Sequence, residues 1–125
     1  INSILFNKKI TEIKESVFEE CKSLKDLKCN TKLDKIGKCA FKNCSSISKI
    51  IINDCEIIQE QAFYGCSNLK YICLPSNIIS IGEMAFINCK LLNIDNIPTS
   101  IRSKFSKSFD ESINKNVEQP PKKSI

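Results

Sequence analysis

Cysteine is the first side chain in this sequence to consider for chemistry. The chain of 125 residues has eight cysteines and no histidine. Zinc sites that use cysteine need closely spaced Cys pairs or His partners, and the chain has no Cys-x-x-Cys motif. A nucleophilic cysteine needs a general base, which is normally His. We therefore expect no metal site, and the composition excludes a Cys–His enzyme.

Other catalytic motifs are also missing from the sequence. The chain has 3 glycines, and they do not form a glycine-rich loop of the kind that binds phosphate. Carboxylates such as Glu19 and Glu20 are adjacent in sequence, so they face apart and do not form an acid–base pair. The sequence predicts a protein that is not an enzyme and has no catalytic residue, no cofactor and no small-molecule substrate.

Four of the cysteines belong to a repeat of nearly constant length. Each follows a Phe by three residues, and both residue types recur at intervals of 23, 22 and 23 residues. An Ile precedes each Phe by five residues. A period of about 20–29 residues is typical of a solenoid, in which equivalent residues stack into columns. The Phe column is Phe18, Phe41, Phe63 and Phe86, the Cys column is Cys21, Cys44, Cys66 and Cys89, and the Ile column is Ile13, Ile36, Ile58 and Ile81.

The pattern within one repeat predicts a strand followed by a turn. Leu69, Ile72 and Leu74 place apolar side chains on one face of a short strand, which Pro75 ends. The segment around the next Phe of the column is expected to form a helical or irregular turn. Left-handed turns and helix ends favour Asn or Gly, and these types precede three of the column cysteines: Asn43, Gly65 and Asn88.

The repeat resembles the BspA-like leucine-rich repeat, whose unit is similar to I-x-x-x-A-F-x-x-C-x-x-L-x-x-I-x-L-P. Residues 81–89 and 66–75 carry the two halves of this unit most clearly, and the resemblance covers about residues 1–112. It implies an α/β solenoid, namely a right-handed leucine-rich-repeat solenoid with a short parallel β-sheet on one face and helical or irregular turns on the other. It also implies a binding role, since the family occurs in surface adhesion and interaction proteins of bacteria and protists.

The repeats predict where the solenoid begins and ends. We expect about four full repeats with a truncated first unit and a degenerate last one, together spanning residues 1–112. In the last unit Asp95 occupies a strand-core position, Lys104 replaces the column Ile and Ser112 replaces the column Cys. Residues 113–125 lack the periodicity and are predicted to be a disordered tail or a linker. Because residue 1 already lies within the repeat register, we expect the chain to be a fragment of a longer protein.

Two interpretations of the cysteines remain open. Equivalent cysteines of adjacent repeats would lie about 4.8 Å apart, a spacing that disulfide geometry allows. Because stacked side chains are poorly directed at each other, we favour buried free thiols that donate to carbonyl groups of the adjacent turn. The Cys column, Cys29 and Cys55 are expected in the core, whereas Cys39 and Cys73 lie off the core pattern. Buried free thiols favour a reducing compartment, so we expect a cytoplasmic protein, with the cell surface as the alternative.

The residues that flank the buried positions of each strand are predicted to face outward in two columns. One column is Ser3, Asp26, Lys49, Tyr71 and Ile94, and the other is Leu5, Lys28, Ile51, Cys73 and Asn96. An exposed apolar patch is a candidate binding surface, and Tyr is a favoured anchor. The predicted partner-binding residues are Asp26, Lys49, Ile51, Tyr71, Cys73 and Ile94. They could instead be ordinary strand residues that pack on one another, or be covered by other parts of a longer chain.

These observations favour a non-catalytic module that binds a protein partner through its strand face. One alternative is a fragment of a surface adhesin that recognises a host protein or glycan. Another is a basic module that binds nucleic acid, because the formal net charge is +5. A single Arg among 19 basic residues argues against nucleic acid, since nucleic-acid readers rely heavily on Arg. No apolar run approaches the ~20 residues of a membrane-spanning helix.

Overall fold

Two parallel β-sheets form most of the regular structure. The computed structural model describes residues 3–6 and 10–109. The strands are β1 (Ser3–Phe6), β2 (Glu12–Ile13), β3 (Asp26–Cys29), β4 (Leu33–Ile36), β5 (Lys49–Ile52), β6 (Cys55–Ile58), β7 (Tyr71–Cys73) and β8 (Ser80–Ile81). Sheet A has the strand order β1-β3-β5-β7 and sheet B has the order β2-β4-β6-β8. Strands alternate between the two sheets along the chain, which therefore winds from one sheet to the other.

Each sequence repeat forms one coil of the solenoid, and neighbouring coils are in register. Asp26 pairs with Lys49, and Lys49 pairs with Tyr71 in the next coil. In sheet B the Ile column runs through successive parallel pairs. The predicted solenoid with a parallel sheet on one face is confirmed. Sheet B was not predicted from the sequence. Residues of the Ile column form this second ladder, which pairs their backbone polar groups.

The third side of each coil is a turn around the column Phe, without a regular strand or helix. The backbone N–H of Phe41 donates to the carbonyl of Ala62 at 2.8 Å, and that of Phe63 donates to Ala85 at 2.9 Å. Each turn contains two residues in the left-handed region, four positions apart. The predicted left-handed positions are confirmed at Asn43, Gly65 and Asn88. The other residues in this region were not predicted: Ser16, Glu20, Cys39, Gln61 and Met84.

The core lies between the two sheets and the Phe turns. Phe41, Phe63 and Phe86 are fully buried. Their rings stack with centroids 5.2 Å apart and planes within 9° of parallel. The small residue before each of these rings is also fully buried, at Ala40, Ala62 and Ala85. The inward direction that the sequence predicts for the Phe column is confirmed for these three rings.

The last described coil departs from the repeat pattern. A 3-10 helix at Ile94–Asn96 replaces the sheet A strand, and α1 (Thr99–Lys104) and a second 3-10 helix (Ser106–Ser108) follow it. The chain then rejoins the stack at Phe109, whose ring centroid is 5.2 Å from that of Phe86. Helix is confined to this end within the described residues. Ser112 and the predicted tail at 113–125 lie outside those residues.

Two sequence predictions for this coil are wrong. Ile94 was expected to face outward, but it is 3% exposed, and Asp95 is exposed although it was expected at a strand-core position. The Asn93 side chain accepts a hydrogen bond from the Asp95 backbone N–H at 3.1 Å and starts the 3-10 helix. This turn directs the aliphatic side chain inward and leaves the carboxylate in water, where its charge is solvated.

Candidate functional site

The Cys column is built into the core by hydrogen bonds between coils. Three of its four thiols donate to the carbonyl oxygen of the column Phe one coil earlier. The distances from Sγ to oxygen are 3.1 Å for Cys44 with Phe18, 3.4 Å for Cys66 with Phe41 and 3.3 Å for Cys89 with Phe63. The predicted direction of these thiols toward carbonyl groups of the adjacent turn is confirmed.

Burial suppresses the reactivity of the core thiols. It raises the pKa of Cys29 to about 12 and that of Cys44 and Cys55 to about 11. For Cys66, burial also raises the pKa well above its ordinary value. The thiolate is the nucleophilic form of cysteine, so these four side chains stay protonated and inert near neutral pH.

The remaining cysteines differ in exposure. All eight are free thiols, with Cys39 half-buried and Cys73 exposed, as expected for positions off the core pattern. Cys21 is half-buried and not buried as predicted, because no described coil covers the outer side of its turn. Within residues 3–6 and 10–109, no group of three or more His, Cys, Asp or Glu side chains could hold a metal ion.

The outer face of sheet A carries most of the predicted binding residues. Strand β3 alternates exposed and buried side chains, and β7 has the same alternation. Alternation is the consequence of the two-residue period of a strand, which directs neighbouring side chains to opposite faces. Tyr71 is 40% exposed, Cys73 is exposed and Ile51 is half-buried. We name the outward side chains of β3, β5 and β7 the sheet A face: Asp26, Lys28, Lys49, Ile51, Tyr71 and Cys73.

The structure brings five of the six predicted binding residues together on this face. Lys49 pairs in register with both Asp26 and Tyr71, and Ile51 pairs with Cys73. Ile94 is the exception, because its buried side chain belongs to the core. Asp26 and Lys49 carry opposite charges on adjacent strands, but their side chains are not among the ion pairs of the described residues.

Two lysines beside the sheet A face were missed by the sequence reasoning. Lys25 and Lys70 directly precede β3 and β7, and both are exposed. Their backbones lie in the same stack, because Ser48 N–H donates to the Lys25 carbonyl at 2.9 Å and Lys70 N–H donates to the Ser48 carbonyl at 3.0 Å. The signal was available in the sequence, since a Lys one position before the outward column recurs in two repeats.

The outward side of sheet B has a different character. Glu12 lies 3.4 Å from Lys35 and 3.7 Å from Lys14, measured from carboxylate oxygen to ammonium nitrogen. In the turn after sheet B, Lys38 lies 3.8 Å from Glu60. Lys14, Lys35 and Lys38 therefore each have a carboxylate as a neighbour.

No helix in the described part of the chain combines the length and the apolar character that crossing a membrane requires.

Comparison with solved structures identifies two similar leucine-rich repeat proteins. One is the T. pallidum leucine-rich repeat protein TpLRR, with 25% sequence identity and a TM-score of 0.68 over 72% of this chain and 45% of that one. The other is from Eubacterium ventriosum, with 20% identity and a TM-score of 0.63 over 79% of this chain and 32% of that one. This chain therefore matches less than half the length of either. None of the curated proteins matches the chain.

The family comparison covers all of the described residues. The model of the BspA type leucine rich repeat region matches residues 1–116 in six copies. Those residues contain the Phe, Cys and Ile columns and both sheets. The family generally provides protein-interaction modules. By this match and by its fold, the chain belongs to the BspA-type leucine-rich repeat family.

Proposed function

We propose that this protein is a non-catalytic interaction module that binds a protein partner through the sheet A face. The observation that carries the proposal is the apolar group formed by exposed Tyr71 and Cys73 and half-buried Ile51 at neighbouring positions of β5 and β7. Tyr is enriched among the residues that dominate the binding energy of protein interfaces. Its ring at 40% exposure offers apolar area that a partner could bury.

The backbone beneath this face is held in place before any partner arrives. Parallel pairing joins β3 to β5 and β5 to β7, and the buried side chains of these strands, including Leu27, Ile50 and Ile72, belong to the core. Binding then orders few additional groups, and a smaller loss of conformational entropy leaves more of the contact energy as affinity. The proposed site is thus a rigid surface and not a loop that folds on binding.

The chemistry of the described residues supports a role without catalysis. The buried thiols have raised pKa values and stay protonated, so they are poor nucleophiles. The family is also typically composed of scaffolds without enzymatic activity. We propose that binding alone is the function of this solenoid.

The test is affinity capture from the cells that make the protein, with single substitutions on opposite sides of the solenoid. Tyr71→Glu and Ile51→Glu place a charge in the proposed site. Ile79→Glu is the matched control, because Ile79 is 59% exposed and lies next to β8 of sheet B. Loss of the same bound protein with Tyr71→Glu and Ile51→Glu, but not with Ile79→Glu, supports the proposal. If all variants capture the same protein equally well, its binding site does not lie on the sheet A face.

For its location we propose a reducing compartment, and the cell surface is the alternative. Buried free thiols support the first location. Exposed Cys73 permits a direct test with a thiol reagent that does not cross membranes. Labelling of intact cells that is lost with Cys73→Ser would place the protein at the surface, and labelling only after lysis agrees with the proposed location.

A further inference from the structure

Unpaired positive charge surrounds the apolar centre of the sheet A face. Four exposed lysines lie on or directly before β3, β5 and β7: Lys25, Lys28, Lys49 and Lys70. Asp26 is the one acidic residue in these strands or in the position before each of them. None of the four lysines takes part in an ion pair among the described residues. Their charge is therefore available to a partner.

The lysines near sheet B provide an internal comparison. Lys14, Lys35 and Lys38 each lie within 4 Å of a carboxylate oxygen of Glu12 or Glu60. These three lysines form the ion pairs of the described residues, whereas the four at sheet A, like Lys32 in the loop before β4, form none. Opposite charges across an interface steer association and favour complementary partners, so a cluster of unpaired lysines on one face favours an acidic partner.

We infer that the partner contacts the sheet A face with an acidic protein segment that also carries an aliphatic or aromatic side chain. The apolar side chain would pack on Tyr71 and Ile51, and its flanking carboxylates would approach Lys28 and Lys49. This inference rests on the proposed function, which requires only that a protein bind here. It adds the chemistry of the partner.

An acidic protein segment fits this surface better than nucleic acid. The Arg of the described residues, Arg102, lies on α1 and not on a strand of sheet A, and it donates from Nε to the Ile97 carbonyl at 3.0 Å. Tyr71 is the single aromatic ring in β3, β5 and β7, whereas binding of single strands uses rings on which successive bases stack. Ile51 also offers no donor to phosphate and favours an apolar contact.

The experiment selects ligands from a random 12-residue peptide display library on the full chain and discards those that also bind Tyr71→Glu. We expect the enriched peptides to be net negative and to contain an aliphatic or aromatic residue. Fluorescence anisotropy of one enriched peptide then tests Lys28→Glu/Lys49→Glu, which we expect to raise Kd by about tenfold or more. Lys32→Glu is the control, because Lys32 is exposed in the loop before β4, and we expect a change of less than about twofold. Circular dichroism melts verify that each variant is folded.

The other outcomes separate this inference from the proposed function. Enrichment of uncharged apolar peptides that depend on Tyr71 would overturn the acidic partner and leave the interaction function intact. Absence of any Tyr71-dependent peptide would overturn both. A 12-nucleotide single strand that binds more tightly than the acidic peptide, displaces it and depends on Lys28 and Lys49 would overturn the inference in favour of nucleic acid.

Discussion

The thiol of Cys66 donates to the carbonyl oxygen of Phe41, one coil earlier, at 3.4 Å. The same oxygen accepts the backbone N–H of Cys44 at 3.2 Å. One buried carbonyl is thus shared between a turn within its own coil and a side chain of the next. The arrangement explains why a cysteine recurs in this column, since Cys combines small apolar volume with a weak donor.

Cys66→Ala should destabilise the solenoid. The substitution removes a fully buried sulfur and its hydrogen bond, with an expected loss of about 1–2 kcal/mol in the free energy of unfolding. Urea unfolding measures the loss. Cys73→Ala is the control, because Cys73 is exposed and should change stability by less than about 0.5 kcal/mol. Equal effects of the two substitutions would contradict a structural role for the Cys column.

Phe63→Ala should be among the most damaging substitutions in the chain. Phe63 stacks on Phe41 and on Phe86, with ring centroids 5.2 Å apart on each side. Removing the ring leaves a cavity between two coils, for an expected loss of about 3–5 kcal/mol. Thermal and urea unfolding would both report it. Ile79→Ala, at a site 59% exposed, serves as the comparison. If Phe63→Ala has the same melting temperature as Ile79→Ala, the Phe63 ring does not pack in the core.

Gly37→Ala tests the close contact between neighbouring turns. A Cβ at this position would lie 2.7 Å from the Glu15 backbone nitrogen and 2.8 Å from the Ile13 carbonyl oxygen. Backbone atoms cannot move aside without disturbing the ladder, so we expect a loss of about 1–3 kcal/mol in stability. Urea unfolding measures this loss. Gln59→Ala, at the equivalent position of the next coil, should leave the free energy of unfolding nearly unchanged. A stable Gly37→Ala protein would mean that the coils can separate locally at low cost.

Thiol labelling should distinguish the exposed cysteine from the buried ones. At pH 8 in the native state, a disulfide reagent such as Ellman's should react fastest with Cys73, which is exposed. Cys29, Cys44, Cys55 and Cys66 should react only on unfolding, because they are buried and their pKa values are raised. Mass spectrometry of the labelled peptides identifies each site. Fast labelling of Cys66 in the folded protein would contradict the described core.

Stability should fall as the pH rises above the ordinary thiol pKa of 9.0. Burial raises the pKa of Cys44 and Cys55 in the folded state to about 11, so between these values the unfolded chain loses thiol protons that the folded chain retains. Linkage then favours the unfolded state with increasing pH, whereas below pH 9 these thiols contribute no pH dependence. The melting temperature, measured from pH 7 to 10.5, should fall less steeply in Cys44→Ala than in the unsubstituted chain. If the melting temperature falls equally steeply with pH in both proteins, groups other than Cys44 cause the loss of stability.

Spacing alone determined the main architecture. Because equivalent residues of a solenoid stack at one strand spacing, the interval between Phe41 and Phe63 was enough to predict a column of rings. The same reasoning predicted that Cys66 would point at a carbonyl and that Tyr71 would face outward, and both are confirmed. The partner-binding role of Tyr71 and its neighbours stays a prediction.

The tertiary structure decided the features for which the sequence allows more than one backbone conformation. Periodicity specifies which residues stack, but it does not specify whether the segment around Ile58 pairs as a strand or turns, and the hydrogen bonds between coils select the strand. At Ile94 the local hydrogen bond from Asp95 to Asn93 overrides the repeat and turns the side chain inward. Whether Lys38 or Lys49 meets a carboxylate depends on side-chain placement across coils, because an ion pair forms only when neighbouring coils bring opposite charges within reach.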